Sequence, residues 1–127
     1  MNFSSEEIGR RLSSNEVKYL IASYNRGAIG FADFEIIGKS CKLMGVAVID
    51  EYRRKGVAKQ LLQRVLQEAT NAKCERIFLL VAEDNLSAVA LYRQFGFIQK
   101  GKSDKILDGK PIIIMDKLLA THLNLAG

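Results

Sequence analysis

The sequence predicts a mixed α/β domain of the α+β class. Its central twisted sheet is expected to be mostly antiparallel, with one parallel βαβ crossover and helices on both faces. Three observations carry this. The first half strings β-branched and aromatic segments between turn residues, the pattern of an antiparallel meander. At Val57 the apolar period switches to that of a helix, and a nearly continuous apolar run, Arg76 to Ala82, follows it. Strand, helix and strand in that order form a crossover, which takes the right-handed form.

The opening segment holds Ser4-x-x-Glu7, a capping-box pattern, and Ile8 and Leu12 lie four apart, so a short amphipathic helix ending near Ser13 to Asn15 is expected. Val17 to Tyr24 and Ala28 to Ile37 read as a β-hairpin around the turn residues Asn25-Arg26-Gly27. After Gly38-Lys39 a third strand, Cys41 to Ile49, returns antiparallel. Val57, Ala58, Leu61, Leu62, Val65, Leu66 and Ala69 then recur at helical spacing, with Lys59, Gln60, Gln63, Arg64, Gln67 and Glu68 on the opposite face, and Asn71 and Ala72 end the helix. The apolar run Arg76 to Ala82 has the composition of a strand buried on both faces. It should lie parallel to and beside the strand ending at Val48, the two splaying apart beyond that residue.

Glu83-Asp84-Asn85 forms a polar loop with capping chemistry, and Ala88, Leu91, Tyr92 and Phe95 mark a second helix stopped by Gly96. Phe97 to Gln99 and Pro111 to Leu118 read as strands around a Lys/Gly/Asp-rich loop. The tail from Ala120 carries no pattern, and His122 within it, the sole histidine, is expected at the surface. Tyr19, Tyr24, Phe31 and Phe34 alternate along the hairpin and are expected to pack in the core.

A chain of 127 residues without internal repeats or linker is expected to be one domain, residues 1–127. With 48% hydrophobic and 26% charged residues it has the balance of a globular protein and not of a disordered one. No apolar run approaches the roughly 20 residues of a membrane span, and Met1 to Asn15 lacks a signal-peptide core, so a soluble, cytoplasmic protein is expected. Cys41 and Cys74 are too few and too distant in sequence for a disulfide framework or metal cluster, and both are expected reduced, with no metal. The net charge of +5 favours anionic partners such as phosphates, nucleic acid or acidic surfaces.

The feature that points to chemistry is Arg53-Arg54-Lys55-Gly56-Val57-Ala58, which opens the clearest helix directly after a strand. A helix start exposes unpaired N–H groups and the positive end of the dipole, which suits a pyrophosphate. Gly56 and Ala58 lack bulk and the three cations add counter-charge. Neither the G-x-x-x-x-G-K-[ST] loop nor G-x-G-x-x-G is present, which excludes those mononucleotide and dinucleotide sites.

Leu43 to Val48 followed by Tyr52-Arg53-Arg54-Lys55-Gly56-Val57-Ala58-Lys59-Gln60-Leu61-Leu62 resembles motif A of the GNAT superfamily, with its [RQ]-x-x-G-x-[GA] fingerprint. Asn85 to Phe97 resembles motif B, about thirty residues on and in the family's order. The resemblance covers about Val17 to Leu118 and is closest to the ribosomal-protein alanine N-acetyltransferase branch. It implies an acetyl-coenzyme A-dependent N-acetyltransferase acting on a primary amine by direct attack in a ternary complex. It further implies cofactor-binding roles for Val46, Ala47, Val48, Arg53, Arg54, Lys55, Gly56, Val57, Ala58, Lys59 and Asn85. Val46 and Val48 would pair with the pantetheine arm, an N–H near Val48 would polarise the thioester oxygen, and Tyr92 would protonate the leaving thiolate. Neither a nucleic-acid nor a membrane partner is implied, since the basic helix start already meets what coenzyme A requires.

Two departures from the family stand out. Only about sixteen residues precede the first expected strand, so part of the acceptor-side wall is expected to be missing and the substrate pocket open. Where the family often carries a basic glutamate, this sequence has Lys42 and Leu80, leaving Asp33 and Glu35 on one strand face and Glu83 and Asp84 after the buried strand as the nearby carboxylates. The branch's Arg/Asn-Tyr-Tyr element is replaced by Gly101-Lys102-Ser103-Asp104-Lys105-Ile106, which argues against ribosomal-protein specificity. The alternative these departures raise is a regulatory module that binds acetyl-coenzyme A without catalysis.

Overall fold

The computed structural model describes residues 4–10, 16–107 and 109–119. They form β1 (Ser4–Arg10), β2 (Glu16–Tyr24), β3 (Gly27–Ile37), β4 (Ser40–Val48), a short 3-10 turn (Asp50–Tyr52), α1 (Val57–Asn71), β5 (Arg76–Ala82), α2 (Leu86–Gln94), β6 (Ile98–Leu107) and β7 (Lys110–Leu118). All seven strands join one sheet in the order β1-β2-β3-β4-β5-β7-β6. Every pair is antiparallel except β4–β5, the product of the α1 crossover.

The meander and crossover match expectation. Asn25 and Arg26, with φ of 52° and 65°, make the two-residue turn between β2 and β3, and this left-handed pair suits the right-handed twist of a hairpin. Along α1 the stripe Val57, Leu61, Leu62, Val65 and Ala69 is buried, each of the larger side chains contributing about 1.5–3 kcal/mol of transfer free energy. The stripe meets Leu20, Ala22, Ala32, Phe34, Cys41, Leu43, Ile77 and Leu79 in one apolar cluster. Gly30 lies directly beneath the start of α1: a Cβ there would stand 2.9 Å from the Ala47 oxygen and 3.3 Å from both Val57 and Leu61. The absence of a side chain lets the helix start settle onto the strands.

Six expectations are corrected. Ser4–Arg10 is a strand paired with β2, not a helix; the remainder of that expected helix lies outside the described residues. Isolated short helices are marginal, Gly9 weakens one further, and the unpaired edge of β2 offers the same backbone a full ladder. The ladder shifts register between Glu7 and Gly9. An added strand therefore precedes the expected first one.

Both described helices contribute to the same cluster, with Val89, Tyr92 and Phe97 joining Ile113 and Met115, so they cover one face and not both. Two right-handed crossovers running the same way along a sheet place their helices on the same side. For that reason β5 alternates, with Ile77, Leu79 and Val81 buried and Leu80 38% exposed, instead of being buried on both faces. The segment read as a loop after Gln99 continues β6 to Leu107, with register shifts against β7 between Gln99 and Gly101 and between Lys102 and Ile106. The hairpin aromatics divide by face: Phe34 is fully buried, Tyr24 packs against the core, and Phe31 is 42% exposed on the opposite side.

The sixth correction concerns the splay. β4 and β5 do lie parallel and adjacent, but their ladder runs only from Ser40↔Arg76 to Leu43↔Leu79. Separation begins at Met44, where β4 also carries an extra residue against β3 between Leu43 and Gly45. His122 and the tail from Ala120 lie outside the described residues.

Candidate functional site

Beyond Leu43 and Leu79 each strand keeps its outer partner and loses its inner one. β4 stays in register with β3 as far as Gly30↔Val48, and β5 with β7 as far as Ala82↔Ile112. Backbone groups facing the gap have no strand to bond, and buried polar backbone that lacks a partner is costly. The gap is the floor of a cleft of about 760 Å³, lined along β4 by Val46, Ala47 and Val48, a size typical of small-molecule sites.

At one end stands the start of α1. Gly56 is its N-cap at φ 84°, ψ 6°, with no side-chain cap and no acidic residue in the first turn. The first bond within the helix runs from Gln60 N–H to the Gly56 oxygen at 3.1 Å, so the N–H groups of Val57, Ala58 and Lys59 have no acceptor inside it. Gly56, Val57, Ala58 and Lys59 all border the cleft, as do Arg53 and Arg54. Val57 is almost fully buried, so its contribution to the cleft is backbone. Arg53 Nε donates to the Val48 oxygen at 3.4 Å and pairs with Asp50 at 3.3 Å, which braces the guanidinium beside the strand end. Lys55 is not among the lining residues, but its Nζ stands 6.0 Å from the centre of the ring of Tyr52, which is one of them.

α2 forms the other wall. Asn85 caps it, its Oδ1 accepting from Ala88 N–H at 3.3 Å and from Ser87 Oγ at 3.5 Å, which leaves the Asn85 amide nitrogen to face a ligand. Tyr92 also borders the cleft and is 8% exposed. Its ring packs against Phe97 with centroids 5.6 Å apart at 57°. Burial raises the phenol above its ordinary value of 10.0, so at neutral pH it is a proton donor. Taken together, the cleft can receive a pyrophosphate at the helix start and an extended, amide-bearing arm along the splayed strand, with a buried phenol at the far end.

Sequence reasoning missed four lining residues, Tyr52, Ser87, Ala88 and Leu91. Ala88 could have been found from Tyr92, four residues on, and Leu91 from Ala88, three residues on, since residues so spaced are neighbours on a helix surface. Tyr52 meets Tyr24 edge-on at 5.9 Å, tying the hairpin to the helix start, a tertiary contact that has no local signal. Of the nearby carboxylates, Glu83 pairs with Lys102 at 3.6 Å and Asp84 with Lys110 at 3.2 Å. These ties fasten the loop after β5 to the β6–β7 hairpin. Lys42 sits opposite Phe78 where β4 and β5 are still paired. Cys41 and Cys74 are both buried and neither is in a disulfide, and burial, reinforced by Cys74, pushes the Cys41 thiol up to about 12. Among the described residues no group of His, Cys, Asp and Glu could hold a metal ion, and no helix is long and apolar enough to cross a membrane.

The model of the acetyltransferase (GNAT) family matches residues 2–97. Among curated proteins the chain is similar to the spermine/spermidine N(1)-acetyltransferase of Bacillus subtilis, 36% identical over 70 residues that make up 54% of this chain and 45% of that protein. The chain spans about half the length of the curated relatives it matches. Among solved structures it is similar to the ribosomal-protein-S18-alanine N-acetyltransferase of Escherichia coli, with a TM-score of 0.74 at 23% identity over 86% of this chain and 74% of that one. It is also similar to the PaiA N-acetyltransferase of Thermoplasma acidophilum in complex with coenzyme A, with a TM-score of 0.71 at 24% identity over 80% of this chain and 60% of that one.

Proposed function

The chain belongs to the acetyltransferase (GNAT) family, and from that premise we propose that it transfers an acetyl group from acetyl-coenzyme A to a primary amine by direct attack in a ternary complex. The observation that carries this is the cleft itself, in which an uncapped helix start, an unpaired strand edge and a buried tyrosine follow one another along the gap between β4 and β5. Bound there, the cofactor supplies an acetyl group activated as a thioester.

The N–H groups of Val57, Ala58 and Lys59 take the pyrophosphate, with Arg53 and Arg54 as counter-charge. Val46 and Val48 hold the arm as an added strand holds a sheet edge, and the Asn85 amide bonds to the same arm. A strand N–H near Val48 polarises the reacting carbonyl. The Tyr92 hydroxyl gives its proton to the departing sulfur. Support comes from the bound coenzyme A of the Thermoplasma relative and from the amine acceptors named for the Bacillus and Escherichia proteins.

A second reading, a module that binds acetyl-coenzyme A without turning it over, is favoured by the lysine and leucine at positions 42 and 80, where the family often carries a base. Thiol release from acetyl-coenzyme A separates the two, measured against a panel of polyamines, lysine peptides and free peptide N-termini with a no-acceptor control. Release that depends on an acceptor is the expected result; tight cofactor binding with only background release from every acceptor would instead establish the module.

A further inference from the structure

Where β4 and β5 part after Leu43 and Leu79, the sheet still has two faces. On one side lie α1, α2 and Tyr92. Because Gly30 faces Val57 and Leu61, alternation along β3 puts Ala32 and Phe34 on the helix side and Phe31, Asp33 and Glu35 on the other. Asp33 pairs in register with Gly45, two residues past the end of the β4–β5 ladder. A Cβ placed on Gly45 would stand 3.3 Å from Asp33 Oδ1, so the carboxylate leans over the β4 backbone at the point where β4 has left β5. Phe31, on the same strand face, and Leu80, across the gap on β5, are both part-exposed on this side. Tyr19 stands opposite Asp33 in the β2–β3 ladder.

From this geometry we infer that Asp33 receives the ammonium group of the acceptor, which enters from the face that neither described helix covers. The inference rests on the acetyl-transfer reading above. It places the incoming nitrogen and the departing sulfur on opposite sides of the sheet, with a carboxylate at the first and a phenol at the second. The ammonium gives one proton to water held at Asp33, and the nitrogen bonds to the acetyl carbon as the carbon–sulfur bond breaks. The sulfur takes the Tyr92 proton, the nitrogen loses its second proton to solvent, and the phenolate recovers one from solvent. One proton is released overall. Glu35 lies on the same face but opposite Lys42, below the split, so it is the natural control.

Asp33→Asn keeps shape and removes charge. At about pH 7 alkylammonium and peptide α-ammonium acceptors are mainly charged, while hydroxylamine is mainly neutral. For the best cationic acceptor of 1,4-diaminobutane, a lysine peptide and a free peptide N-terminus, kcat/KM should fall about 10- to 100-fold, chiefly through KM, the scale of a lost hydrogen bond to a charged group. Calorimetric affinity of the coenzyme A-saturated protein for that acceptor should fall in step. Transfer to hydroxylamine, and both quantities in Glu35→Gln, should stay within about twofold of the parent, a margin that allows for ordinary surface effects. Equal losses with charged and neutral acceptors, or no loss with the charged one, would overturn the assignment; Asp33→Ser gives the same comparison should the first variant fail to fold. If the parent protein transfers to no acceptor at all, it is the transfer reading that fails, and Asp33 falls with it.

Discussion

Replacing Gly56 by alanine sets the stability of the helix start against its role as an anion site. At φ 84° the residue is in the left-handed region, where an L side chain costs roughly 1–2 kcal/mol. Nothing lies within 4 Å of the Cβ position, so no clash adds to that cost. The expected destabilisation is therefore about 1 kcal/mol. For 127 residues at about 2.1 cal/mol/K of unfolding entropy each, it lowers Tm by roughly 4 °C. The new methyl stands in open space beside the N–H groups of Val57, Ala58 and Lys59, where it holds a pyrophosphate away from them. Losing about 1–2 kcal/mol of that contact raises the Kd for coenzyme A roughly 5- to 30-fold. Pantetheine, which has no pyrophosphate, should lose nothing. Urea titration measures the first effect, and calorimetry well below Tm measures the second on folded protein. A variant that is less stable yet binds coenzyme A as tightly as the parent would remove the helix start from the binding site.

Two further predictions concern buried protons. Tyr92→Phe keeps the ring against Phe97 and should retain cofactor affinity while transfer slows by about 10- to 1000-fold; full turnover per folded molecule would make Tyr92 a packing residue. Its phenol is raised in the folded state, so its contribution to stability is complete below about pH 10 and is lost as pH climbs through the raised value. Cys41 acts in the same direction, from 9.0 toward about 12, so alkaline unfolding should begin above about pH 9 and be monitored by far-UV dichroism. Both thiols should resist a disulfide-exchange reagent at about pH 8 until urea is added, and rapid labelling of native protein would contradict their burial.

The sequence was most legible where pattern and local chemistry agree. The α1 stripe, the Asn25 turn and the basic helix start each announce themselves within a few residues, because period, positive-φ tolerance and capping are local properties. Reading failed where a distant partner decided the outcome. Ser4–Arg10 carries a helix-start signal, yet it pairs with β2 because that edge was available. β5 reads as buried on both sides because Phe78 and Leu80 are apolar, and only the same-side placement of α1 and α2 shows that neither described helix covers its second face. Lys55 has the charge for a phosphate site but turns toward Tyr52, and nothing in the run Arg53-Arg54-Lys55 distinguishes it from its neighbours. Asp33 was visible only as one of four carboxylates, and the register against Gly45 singles it out.

The seam between β4 and β5 explains why the site lies where it does. Each part of the sheet is internally paired: β1 to β4 on one side of the seam, β5, β7 and β6 on the other. Twist accumulates by roughly 20–25° per strand, and the extra residue at Met44 turns β4 further away. The four-pair ladder holds because Cys41, Leu43, Ile77 and Leu79 are all buried beneath it. Past those side chains nothing draws the strands together, while Gly30 seats the start of α1 directly at the widening gap. The same divergence thus exposes a strand edge to an extended arm and brings an uncapped helix start to its end. A ligand lying in the seam can bond to backbone that no strand is using, so it occupies the site without displacing any hydrogen bond of the folded sheet.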